Sequence, residues 1–169
     1  VYIGNLIGSL CWAYICANGP FVTFNDAGVA TITAFGTRAI AIATAKTSYV
    51  GIMGMWSAFL KGIACNWLVN LAILLGICAD DAAGKFFGIW FPIMAFVSSG
   101  FEHSIANMYF IPAGIFLRAA GVPAPTGYSP DALNWLSFLW DNLVPVTLGN
   151  IIGGGLFVGM SYWSAYLRP

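Results

Sequence analysis

The residues of this chain that could do chemistry gather at one point, Ser98-Ser99-Gly100-Phe101-Glu102-His103-Ser104. His103 is the single histidine. An imidazole ordinarily titrates near pH ~6.5, so it can lend or take a proton close to neutrality. A weak-acid anion that borrows that proton can cross an apolar constriction as the neutral acid. The alternative is a structural histidine tied to backbone carbonyls. A helix that begins near Ser104 would aim its positive dipole end and its first N–H groups at the same point. Ser104 is the residue type that caps such a start. Imidazole plus a helix N-terminus attracts an anion without a strong fixed cation, the balance a conduit needs. Glu102 would repel an anion, so it is read as an anchor for the irregular segment. Asn107 follows His103 by one helical turn and shares its face. Phe96 precedes His103 by one heptad, either as packing or as an apolar ring that narrows a pore. Asn66 and Asn70 are four apart and share a helix face. They either bond between helices or line a polar chamber.

The elements that must hold these groups are written in the composition. Of 169 residues, 60% are apolar and 7% are charged. Soluble domains carry about 25% charged residues, because water must wet their surface. Six basic and six acidic residues are too few for that, and lipid is the natural solvent. The class expected is therefore an all-α integral membrane protein, multi-pass in the cell membrane. No basic patch is present, so nucleic acid is not expected as a partner. Cys11, Cys16, Cys65 and Cys78 form no CxxC pair and no Cys/His cluster. No metal, no cofactor and no catalytic residue is expected, since there is no ligand spacing and no nucleophile–base pair.

A crossing helix needs about 20 apolar residues. One transmembrane domain is expected over 1–169: a helix over 1–17 ended by Asn18-Gly19-Pro20, a loop with a short helix over 18–52, and a helix over 53–79. A broken helix follows over 86–98 and 104–118, then a loop over 119–140 and a helix over 141–167. The break is expected because the apolar run of 86–117 is too long for one crossing and has its polar residues in the middle. At about 1.5 Å per residue, each flank spans half a membrane. Irregular backbone at that depth survives only if buried in protein or lining a cavity. The alternative is one long tilted helix with Glu102 and His103 buried as a pair. Pro123, Pro125, Gly127 and Pro130 mark the loop, and Arg168 marks the end of the last crossing.

Residues 1–8 read V-Y-I-G-N-L-I-G and residues 146–153 read V-T-L-G-N-I-I-G. Glycines four apart let helix backbones approach closely. The match is either coincidence or an internal repeat. As a repeat it makes each half three crossings, an odd number, and so inverts the halves. It also leads to the expectation that the first two helices are missing and that the chain is a piece beginning mid-helix at Val1.

Gly100-Phe101-Glu102-His103-Ser104-Ile105-Ala106-Asn107-Met108 with Ile111-Pro112 resembles the signature of the formate/nitrite transporter family. Asn142-Leu143-Val144-Pro145-Val146-Thr147-Leu148-Gly149-Asn150-Ile151-Ile152-Gly153-Gly154-Gly155 resembles its last-helix motif. Gly62-Ile63 with Cys65-Asn66-Trp67-Leu68-Val69 resembles its fourth-helix motif. The resemblance implies an aquaporin-like inverted-repeat helical bundle whose fifth helix is broken at the central histidine, with a pore in each protomer of a homopentamer. It implies that His103 hydrogen-bonds or protonates a passing small anion such as formate, nitrite or hydrosulfide. It also implies that Asn66 and Asn107 are polar pore positions, Phe96 a hydrophobic constriction and Lys46 an outer lysine. Two other readings remain at this stage: a neutral-solute aquaporin-like channel, and a membrane anchor subunit of a redox complex. The first leaves His103 unexplained, and the second needs a further histidine for haem.

Overall fold

The computed structural model describes residues 1–26, 30–121 and 130–167. Pro123, Pro125 and Gly127 of the expected loop, and Arg168, lie outside the described residues. Apart from one small hairpin, the regular secondary structure of the described residues is helical. The helices are α1 (Tyr2–Asn18), α2 (Ala34–Lys46), α3 (Gly51–Cys78), α4 (Ala82–Ser98), α5 (Ser104–Ala119) and a last helical stretch over Trp135–Leu167. The fold class is that expected of the composition.

Two of these helices, Gly51–Cys78 and Trp135–Leu167, are long and apolar enough to cross a membrane. At 28 residues α3 is about 42 Å long, a full bilayer with its headgroups. Large apolar side chains stand exposed along the helices, among them Trp12, Ile73, Phe91 and Leu156. Water would penalise that surface, and lipid does not. Trp135, Trp140, Tyr162, Trp163 and Tyr166 are all exposed as well, as aromatics of a membrane interface are.

The segment after α1 holds more order than a loop. Val22–Phe24 pairs antiparallel with Ala30–Ile32, Val22 opposite Ile32. Thr33 then caps α2 by accepting from the Gly36 N–H at 3.2 Å. The last helix begins at Trp135, earlier than the expected residue 141. Asn134 explains the early start, because its Oδ1 accepts from the N–H groups of Leu136 and Ser137, both at 2.9 Å. Wider π-type turns occupy Phe138–Leu143, Ile152–Met160 and Trp163–Leu167 of this stretch, with regular α-turns over Val144–Ile151.

The chain divides into two compact units. The first contains Val1–Met55 and Ser104–Leu143. In it α5 packs against α1 and α2. Ala43, Met108, Ile111, Leu133, Phe138 and Leu143 form its main apolar cluster. Gly114 lets α5 approach α2 closely, since a Cβ there would collide with the Ala43 methyl.

The second unit contains Trp56–His103 and Val144–Pro169. Here α3 and the last helix interlock through glycine. A Cβ on Gly149 would strike the Phe59 carbonyl, and one on Gly153 the Ile63 carbonyl. A Cβ on Gly62 would stand 2.8 Å from the Val146 carbonyl. Gly149 and Gly153 belong to the second copy of the repeated motif, and they make the close approach that small residues four apart allow. For Gly4 and Gly8, their counterparts in the first copy, nothing among the described residues lies within 4 Å.

Candidate functional site

The polar cluster sits at the end of α4, and local chain chemistry builds it. Phe101 N–H donates to the Phe96 carbonyl and Gly100 N–H to the Val97 carbonyl, each at 3.1 Å. Gly100 has φ +66°. This pair of bonds around a left-handed glycine is the Schellman arrangement that closes a helix C-terminus. The chain then runs without helical bonds through Phe101, Glu102 and His103, and α5 begins at Ser104. The helix is thus broken rather than continuous, as expected. Ser104 is itself the first helical residue, so the flanking position that a cap occupies falls to His103. A left-handed alanine costs about 1–2 kcal/mol, while asparagine tolerates that conformation better. Denaturation midpoints should therefore fall in the order Gly100, Gly100→Asn, Gly100→Ala; equal midpoints would mean that the turn is not strained.

Four expected site residues lie in the second unit. Glu102 is only 2% exposed, and both its main-chain groups are held. Its N–H donates to the Lys61 carbonyl at 3.3 Å, and its carbonyl accepts from Asn150 Nδ2 at 2.9 Å. Asn150 Nδ2 also donates to the Gly62 carbonyl at 2.9 Å. Asn66 Nδ2 donates to the backbone carbonyl of Asn150 at 2.6 Å, which is the interhelical bonding considered for it. Asn70 Nδ2 donates to the Asn66 carbonyl at 2.8 Å, within α3. His103 is half-buried, and its ring centroid lies 6.0 Å from that of Phe96, tilted by 44°. The two side chains that would form a titratable centre and an apolar ring are thus neighbours.

The other three lie in the first unit. Asn107 is fully buried, and its Nδ2 donates to Asn142 Oδ1 at 2.7 Å. Asn142 Nδ2 in turn donates to the backbone carbonyl of Lys46 at 2.9 Å. Asn107 therefore anchors packing between helices. Ser104 is buried and Lys46 half-buried. Asn142 and Asn150 were not singled out from sequence. Their signal was there nonetheless: an asparagine inside an apolar crossing has to find hydrogen-bond partners. Among the described residues no group of His, Cys, Asp and Glu could hold a metal ion.

Two helices of crossing length, lipid-compatible surfaces, and non-helical backbone between the shorter α4 and α5 fit a helical membrane-channel fold. A family profile described as formate/nitrite transporter matches residues 1–164. The chain belongs to the formate/nitrite transporter family. It is 41% identical to a probable formate transporter of Methanothermobacter thermautotrophicus, over 99% of this chain and 57% of that protein. It is 38% identical to the formate channel FocA of Escherichia coli K12, over 99% of this chain and 58% of that one. Among solved structures it resembles a pentameric formate channel with formate bound: TM-score 0.77, 38% identity, 99% of this chain and 64% of the other. The chain spans little more than half the length of the curated relatives it matches.

Proposed function

We propose that this chain is the part of a membrane channel for small monovalent anions, formate or nitrite, that carries the channel's proton-lending centre. The observation that carries the reading is His103, a single imidazole set on non-helical backbone directly after a helix closed at Gly100. The Phe96 ring 6.0 Å from it supplies an apolar wall. Such a wall disfavours a charged species and favours a neutral one. An anion that accepts the imidazole proton becomes a neutral acid and passes the wall. The imidazole then regains a proton from the other side or from water. The buried Glu102 acts as an anchor through its main chain, in keeping with its bonds to Lys61 and Asn150. Asn66 holds α3 to the last helix, and Asn107 and Lys46 are joined through Asn142. Membership of the family and the likeness to a pentameric formate channel support a homopentamer in the cell membrane with one pore per protomer.

The test is uptake into liposomes that contain the full-length protein, with protein-free liposomes subtracted for diffusion of the free acid. Formate and nitrite should enter faster than into empty vesicles, and glycerol should not. Glycerol entry without formate entry would instead support a neutral-solute channel. A Soret absorbance band in the purified protein would support the redox-anchor reading.

A further inference from the structure

The non-helical backbone between α4 and α5 lacks helical hydrogen bonds, and at Glu102, 2% exposed, its polar groups need protein partners. The Asn150 side chain meets that need from the last helix. Its Nδ2 donates to the carbonyl of Glu102, the residue before His103, and to the carbonyl of Gly62 on α3, each at 2.9 Å. One amide nitrogen thus ties the break to α3. Its own backbone carbonyl is gripped by Asn66 Nδ2 at 2.6 Å, which fixes where the amide stands. Gly149 and Gly153 on either side leave the α3 backbone close enough for the bonds to form. Asn150 is 6% exposed, so water does not compete for these bonds.

We infer that Asn150 is a positioning residue, which sets the place of His103 by clamping the Glu102 carbonyl to α3. The role in transport rests on the proton-lending reading of His103, while the clamp itself does not. An asparagine does not titrate, so its effect reaches transport only through the placement of the imidazole.

Asn150→Asp keeps the shape but, when ionised, donates no hydrogen bond. Asn150→Ala removes the amide. Both are made in the full-length protein, and only assembled material is compared. Hydrogen exchange reads the clamp: peptides over residues 99–103 should exchange about tenfold faster in both variants, the scale of one net hydrogen bond. Peptides of α1 and α5 should keep native rates. Uptake of formate reads the consequence: the pH at half-maximal rate should move by at least ~0.5 unit, because the pKa of an imidazole follows its surroundings. Unchanged exchange at 99–103, or equal acceleration everywhere, overturns the clamp. Local acceleration with an unmoved pH profile overturns the link from the clamp to His103. If neither variant assembles, Asn150 is a folding residue and the inference is wrong. If the native protein takes up no formate, the functional reading fails, and exchange still decides the clamp.

Discussion

Formate uptake by His103→Ala is expected to lose its dependence on external pH. Lending a proton requires imidazolium, and its population falls by up to about tenfold per pH unit once the ring titrates. The native rate, after subtraction of protein-free liposomes, should therefore climb as the outside is acidified, by up to about tenfold per pH unit. Alanine cannot donate, so the remaining flux should be flat with pH. Alanine also removes the ring that stands 6.0 Å from Phe96 and opens space there. A variant that conducts well but without pH response is thus compatible with the mechanism, since an ion then passes as a charged species through a wetter gap. Native-like rate with a native-like pH profile would show that His103 is structural. His103→Gln keeps a hydrogen-bond donor without a titratable proton. It should share the flat profile, which separates proton lending from hydrogen bonding alone.

The second large effect is expected from the glycines of the last helix. Exchanging glycine for alanine inside a helix normally stabilises by up to about 1 kcal/mol. Gly149→Ala and Gly153→Ala should reverse that sign, because each new methyl strikes a backbone carbonyl of α3, that of Phe59 or Ile63. Backbone does not step aside as a flexible side chain would, so the helices must separate. Overpacking of this kind costs about 1–3 kcal/mol, and more when nothing can shift. The Asn150 and Asn66 bonds span the same contact and would stretch with it. Assembled protein after size exclusion should drop several-fold for either variant. Gly155→Ala is the internal control, since nothing among the described residues lies within 4 Å of its new methyl. It should be neutral or mildly stabilising. Equal behaviour of Gly153→Ala and Gly155→Ala would show that the close approach does not govern assembly.

Much of this was legible without coordinates. Charge content alone placed the chain in lipid, because twelve charged residues cannot wet the surface of 169. The break was legible at Gly100–His103 because polar residues interrupt an apolar run at half a crossing's length. Glycine at the position that must turn left-handed adds the mechanism. The hairpin of Val22–Phe24 with Ala30–Ile32 was not legible. Strands of three residues leave too short an alternation to separate from loop. The early start of the last helix was missed because Asn134 reads equally well as a loop polar residue until its Oδ1 is seen on two N–H groups.

The site divides in the same way. Residue type by itself determined that His103 is the one group able to exchange a proton near neutrality, and that the asparagines in apolar helices must be satisfied by partners. Which partners they take was decided by the tertiary structure. Asn66 and Asn150 meet although 84 residues separate them, and Asn107 and Asn142 meet across 35. Hydrogen bonds are short-ranged and directional, so a pattern along the chain names the donors, and only the packed helices say which carbonyl each one reaches.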